Sequence, residues 1–124
     1  MTAPELLALA ERCEAATGPD REIDHDVAVA VGAQARNGSI NIAAYYTASI
    51  DAAMMLVPEW WAIERWQIWP GQPSALRIVE THLGDDGQRW HGGKDRTLSA
   101  QATTPALAIA AAAIRARAAQ EGGA

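Results

Sequence analysis

Five tryptophans, Trp60, Trp61, Trp66, Trp69 and Trp90, stand in a 124-residue chain that has two tyrosines and no phenylalanine. An indole face stacks on planar ligands, and an arginine fork grips phosphate through two parallel hydrogen bonds. Arg65, Arg77 and Arg89 are interleaved with these tryptophans along the chain. The set Trp61, Arg65, Trp66, Trp69, Arg77, Trp90 and His91 is therefore the candidate surface for a small planar anion or for a protein partner. The indoles have a second use, which is to fill the gap between an alanine-rich helix layer and a sheet. Strict alternation along an extended 60–69 segment places Trp60 and Trp66 on one face and Trp61 and Trp69 on the other. Where helices cover a single face, the indoles of the other face must meet solvent, a second subunit or a ligand.

Other reactive types are present without a matching pattern. His82, Asp85, Asp86 and His91 are metal-ligand types, but their spacing fits no helical or ribbon motif and a solvated turn accounts for the aspartates. No metal is expected there. Asp24-His25-Asp26 opens a helix, where carboxylates are favoured by the dipole and need no catalytic role. Gly87, Gly92, Gly93 and Lys94 lack the spacing of a phosphate-cradling loop, and GxSxG, HExxH and GxGxxG are absent. Cys13 is the one cysteine, so neither an intramolecular disulfide nor a CxxC motif can form, and a small buried hydrophobe is the expected role. No acid and base converge in the sequence. Binding is expected rather than catalysis, with no cofactor.

Bulk properties narrow the partners. The formal charge is −5, with one lysine against nine arginines. A net acidic domain is a poor match for nucleic acid or anionic membrane, both of which draw on a basic surface. A 49% hydrophobic content is ordinary for a globular chain, and no apolar run nears the roughly 20 residues of a membrane span. The opening MTAPELLALAERCEAA has neither a basic n-region nor an apolar block, so a cytoplasmic location is expected. One domain over residues 1–124 follows from the length.

The elements that must position the candidate residues read as follows. Thr2 and Glu5 form a capping-box pair ahead of a helix over 3–16 with Leu6, Leu9, Ala10 and Cys13 on one stripe. Thr17-Gly18-Pro19 stops it, with glycine available for the left-handed position. Asp20 caps a second helix through Ile23 and Val27 that closes at Gly32. Residues 33–44 read as a loop with marginal strand character around the Asn37-Gly38 turn. A short helix over 47–57 carries Ile50, Met54 and Val57 on one face, capped by Thr47 or Ser49, and Pro58 ends it. Strands follow over 60–69 and 74–83, separated by a turn at 70–73. Leu76 and Ile78 alternate with Arg77 and Val79 in the second. The turn at 84–87 makes a hairpin, with short strand candidates at 88–91 and 96–102. Thr104 and Pro105 open the last helix, on which Leu107, Ala110, Ala111, Ile114 and Ala118 face one way and Arg115 and Arg117 suit the dipole. The order is α-α-α-β-β-β-α, an α+β fold with helices layered on a small antiparallel sheet of three or four strands. Small alanine faces in a short chain leave apolar surface that a symmetric dimer would cover, so a homo-oligomer is expected.

Three blocks carry a family resemblance: CEAATGPDREID at 13–24, YTASIDAAMMLVPEWW at 46–61 and TTPALAIAAAAIRARA at 103–118. Together they resemble the phage ABA-sandwich family, small phage and prophage proteins with helices layered on a sheet. The blocks cover about a third of the chain, and Ile63 to Ala102 departs from the pattern. The resemblance implies a phage accessory protein and no catalytic residues. Joined to the tryptophans and arginines, it suggests a module that binds a host protein or sequesters a nucleotide signal of host defence. Two alternatives belong to other classes. One is a small enzyme. The other is a nucleic-acid-binding αβββα module, since helix, three strands and helix is also the order of double-stranded RNA-binding domains. Those grip phosphates with lysines at the start of the last helix, whereas Thr104–Ile109 holds no basic residue.

Overall fold

The computed structural model describes residues 1–90 and 96–122. Helices α1 (Ala3–Ala15), α2 (Arg21–Ala30), α3 (Ile50–Met54) and α4 (Pro105–Gly122) accompany strands β1 (Trp61–Gln67), β2 (Ser74–Glu80), β3 (His82–Leu83), β4 (Arg89–Trp90) and β5 (Thr97–Ala102). The fold is α+β. Strands β1, β2 and β5 form one antiparallel sheet in that spatial order, and β3 with β4 makes a separate small hairpin.

Thr2 starts α1 by accepting a hydrogen bond from the Glu5 amide, and Leu6, Leu9, Ala10 and Cys13 are its buried stripe. The helix ends because Ala16 turns extended; Gly18 is not left-handed. Asp20 caps α2 through the amides of Glu22 and Ile23, and Gly32 closes it at φ 78°. Residues 33–44 form no strand, and a 3-10 turn occupies Ile40–Ile42. Arg21 supplies the reason. Its guanidinium donates to the carbonyls of Ile40, Ala43 and Ala44 and to the buried Asp24 carboxylate, so those carbonyls are satisfied outside any ladder. Asp24 also accepts from the Thr47 amide, while the Thr47 hydroxyl bonds the Asp20 backbone.

With Thr47 so engaged, Ser49 is the cap of α3, which is shorter than the 47–57 helix the periodicity predicts. Of its predicted stripe only Val57 packs half-buried against the core. Ile50 and Met54 are exposed, and Ala53 and Leu56 are buried. A small side chain at Ala53 lets α3 lie close on α4, and Arg117 of α4 locks the contact by donating to the Leu56 carbonyl through Nε and Nη2.

Helix α4 departs most from the one-sided stripe. Thr104 caps it as its position predicts. Yet Ala108, Ile109, Ala112, Ala113 and Ala116 are as fully buried as Leu107, Ala110, Ala111 and Ile114. It is enclosed by α1, by β2 and β5, and by α3. A helix apolar on all sides belongs inside a protein, and alanine makes such close enclosure possible. Its two arginines serve other elements rather than the helix end. Arg115 pairs with Glu14 of α1, and burial draws the Arg117 guanidinium below its usual pKa.

The second predicted strand is split at Thr81, whose amide and hydroxyl both donate to the Trp60 carbonyl. The turn at 84–87 does close a hairpin, with Gly87 at φ 80° donating to the Gly84 carbonyl, but that hairpin lies outside the main sheet. Chain beyond it returns as β5 beside β2. Leu76, Ile78, Ala100 and Ala102 are the buried side of β2 and β5, packed on α4. The opposite sheet face carries Arg77, Ser99 and Gln101, and it is open only beyond Val79, which lies on the same face and is buried. Among the described residues no helix is long and apolar enough to cross a membrane.

Candidate functional site

Where each β1 side chain points is decided by a bulge. Trp61 pairs with Glu80, Ala62 with Val79 and Ile63 with Ile78, after which the register shifts and Arg65 pairs with Arg77. One extra residue in a strand reverses the sidedness of everything beyond it. Trp61 and Ile63 face the helices, and so does Trp66, which pairs with Leu76. Arg65 and Gln67 are turned onto the open face. The alternation expected from sequence therefore fails in two places. Trp61 and Trp66 share a side, and Trp60 lies outside the strand.

Arg65, Arg77 and Ser99 form one cross-strand row on the open face, and Gln67, Ala75 and Gln101 form the next. A cleft of about 340 Å³ lies over these rows and is bordered by Glu14. The two guanidiniums sit on directly opposed residues, an arrangement that is unfavourable for like charges. Neither guanidinium has a hydrogen bond or ion pair among the described residues. The acid at the rim does not relieve them, because Glu14 is committed to Arg115 and to the Gln101 amide. In a chain of formal charge −5, this is a local positive spot with uncompensated donors. The rest of the lining offers amides and one hydroxyl, with no histidine and no second carboxylate. Such a set can hold an anion and has no partner that would activate Ser99 as a nucleophile.

The tryptophans are distributed elsewhere. Trp60 has a left-handed backbone at φ 75°, rare for a bulky residue, and Arg89 lies over its ring at 4.5 Å from the centroid while reaching Glu59 at 3.8 Å. Trp61 is buried in the core beneath Arg96, which is itself held by Glu80 and the Ala119 carbonyl. Trp66 and Trp69 are both exposed, and neither borders the cleft within this chain. The backbone of Trp90 pairs with His82 in the small hairpin, and His91 lies outside the described residues. The structure thus brings Arg65 and Arg77 together and separates both from Trp66 by the thickness of the sheet.

Gln67, Ser99 and Gln101 are site residues that motif reasoning passed over. For Ser99 and Gln101 the signal is the period of two in TLSAQA, where they alternate with Leu98, Ala100 and Ala102, whereas the side of Gln67 is set by the bulge. Several of the remaining reactive groups have local structural partners or are buried. Asp86 accepts from the Gln88 amide within its turn, and no three His, Cys, Asp or Glu residues cluster among the described residues. Burial pushes the Cys13 thiol up to about 12, which leaves it protonated and inert near neutrality. His25 bonds the Gly38 carbonyl at 3.0 Å and neighbours Asp26, which is paired with Arg12. Comparison of the chain with known protein families, with curated proteins and with solved structures returns no match.

Proposed function

We propose that this protein binds a small phosphate-bearing molecule on the open face of its sheet and does not transform it. The observation that carries the proposal is the directly opposed Arg65 and Arg77 pair, which no acidic side chain among the described residues neutralises. An oxyanion placed between the two forks would replace a repulsion by charge-assisted hydrogen bonds, with Gln67, Ser99 and Gln101 in reach of polar substituents. The volume is at the small end of ligand pockets and suits a mononucleotide-sized molecule better than a polymer. The resemblance of three sequence blocks to phage proteins makes a nucleotide signal of the host the first class to try. Titration calorimetry with inorganic phosphate, pyrophosphate and mononucleotides tests the reading. Binding that weakens at high salt is expected, and Arg77→Gln should lower affinity by about 10- to 100-fold, the equivalent of one lost charge-assisted bond. If none of these anions binds at millimolar concentration, the reading fails.

A second reading is a module that docks on a host protein. It is favoured by the exposed apolar side chains between the 3-10 turn and the end of α3, where Ile42 is 70% and Met55 81% exposed, with Tyr45 and Met54 between them in sequence. Capture of a specific host protein that is lost on Met55→Glu, with phosphate binding unchanged, would select it.

A further inference from the structure

The two edges of the main sheet are not equivalent. On β5 the outward Gln101 amide is taken by the Glu14 carboxylate, and the Thr103 hydroxyl donates to the Ala16 carbonyl, so α1 closes that edge. At the other edge, β1 has no backbone hydrogen bond beyond its ladder with β2 over residues 62–67 among the described residues. An open edge is a template for another strand. It is also apolar where it should be wet: Trp66 is 37%, Ile68 56% and Trp69 62% exposed.

From these features we infer that β1 pairs with β1 of a second copy, antiparallel about a two-fold axis centred on Gln67, to make a continuous six-stranded sheet. Three constraints select that register. The bulge after Ile63 breaks regular pairing on its N-terminal side, and Pro70 has no amide to donate on the other, which leaves residues 65–69, with the Trp69 carbonyl already accepting from the Gln72 amide in the turn. A two-fold axis normal to the sheet keeps each face on its own side, so one residue must oppose itself. Centring on Arg65 would set two guanidiniums against each other, and centring on Trp66 would draw Glu64 of the bulge into the pairing. Centring on Gln67 uses 65–69 alone. It lays Trp66 on Ile68 of the second copy, between the two helix layers, and Arg65 against Trp69 of the second copy on the open face.

The consequence for the site rests on the proposed anion binding. The row Ser99, Arg77, Arg65 is continued by Trp69 of the second copy, so an indole that this chain holds apart from its own arginines joins them in the dimer. The composite site takes a nucleotide, with its phosphate on the arginine pair and its base against the indole.

Gln67→Cys in a Cys13→Ser background tests the register, because only a self-opposed residue places two copies of itself within disulfide distance. A covalent dimer on mild oxidation is expected, with none from Ser99→Cys in the same background. Sedimentation velocity of the unmodified chain should give twice the 13.2 kDa monomer mass, and Ile68→Lys, at a position outside the β1 ladder, should return it to monomer with an unchanged circular dichroism spectrum. A monomer at high micromolar concentration, or a dimer indifferent to Ile68→Lys that Gln67→Cys does not cross-link, overturns the inference. Trp69→Ala should weaken mononucleotide binding about tenfold and leave inorganic phosphate binding as it was. Equal loss for both ligands would remove the indole from the site. Phosphate binding by a strictly monomeric protein would sink the dimer alone, whereas a dimer that binds no anion would sink the proposed function alone.

Discussion

Ala112 is the position at which the enclosed character of α4 can be put at risk. It lies off the stripe of Leu107, Ala110, Ala111, Ile114 and Ala118, yet none of its surface reaches solvent. Replacing it by leucine changes helix propensity little and adds three apolar carbons, worth roughly 2.4 kcal/mol at about 0.8 kcal/mol per buried CH₂ if room existed. With α1, α3 and the sheet all against the helix, room does not exist, and the added volume must displace packed neighbours. Overpacking of this kind costs about 1–3 kcal/mol net. Gln120→Leu is the control, since Gln120 is exposed on the same helix and should shift stability by no more than about 0.5 kcal/mol. Urea unfolding followed by circular dichroism reads the difference. A 2 kcal/mol loss with a slope near 2 kcal/mol per molar lowers the midpoint by about 1 M. Should Ala112→Leu unfold at or above the wild-type midpoint, one side of α4 is open and the layered enclosure described above is wrong.

The Cys13 thiol is protonated in the folded state up to about pH 12, against an ordinary value of 9.0, because burial disfavours the thiolate. Its contribution is fully present below pH 9 and is lost as pH rises from 9 towards 12. The stability difference between wild type and Cys13→Ala should therefore shrink over that window by up to about 4 kcal/mol, and a flat difference would show a solvated thiol. Native protein should likewise resist a thiol reagent that reacts at once after unfolding. At Trp60 the left-handed backbone makes an unusual order of variants: Trp60→Gly should be more stable than Trp60→Ala by about 0.5–1 kcal/mol, as read by thermal unfolding. The reverse order would mean that φ at residue 60 is negative.

Local signals were legible without a structure wherever a short-range interaction decides the outcome. Thr2, Asp20 and Thr104 cap helices because a hydroxyl or carboxylate one turn ahead reaches an orphan amide, and that geometry involves no distant residue, whereas the choice of Ser49 over Thr47 was made by Asp20 and Asp24. The buried stripe of α1, the alternation of Leu76 and Ile78, the turns at 70–73 and 84–87, and the α+β class follow from the same nearest-neighbour rules. What the sequence could not express were choices made by contact between elements. Ala53 rather than Ile50 faces inward because α4 comes close enough to admit only a methyl group. The stripe on α4 vanishes because three other elements surround it. The candidate site turns on a single inserted residue in β1: sequence alternation knows only odd and even, and a bulge exists only relative to the partner strand it fails to match. That one residue carries Trp66 to the helix side and brings Arg65 opposite Arg77, two charges that no local pattern would have set together.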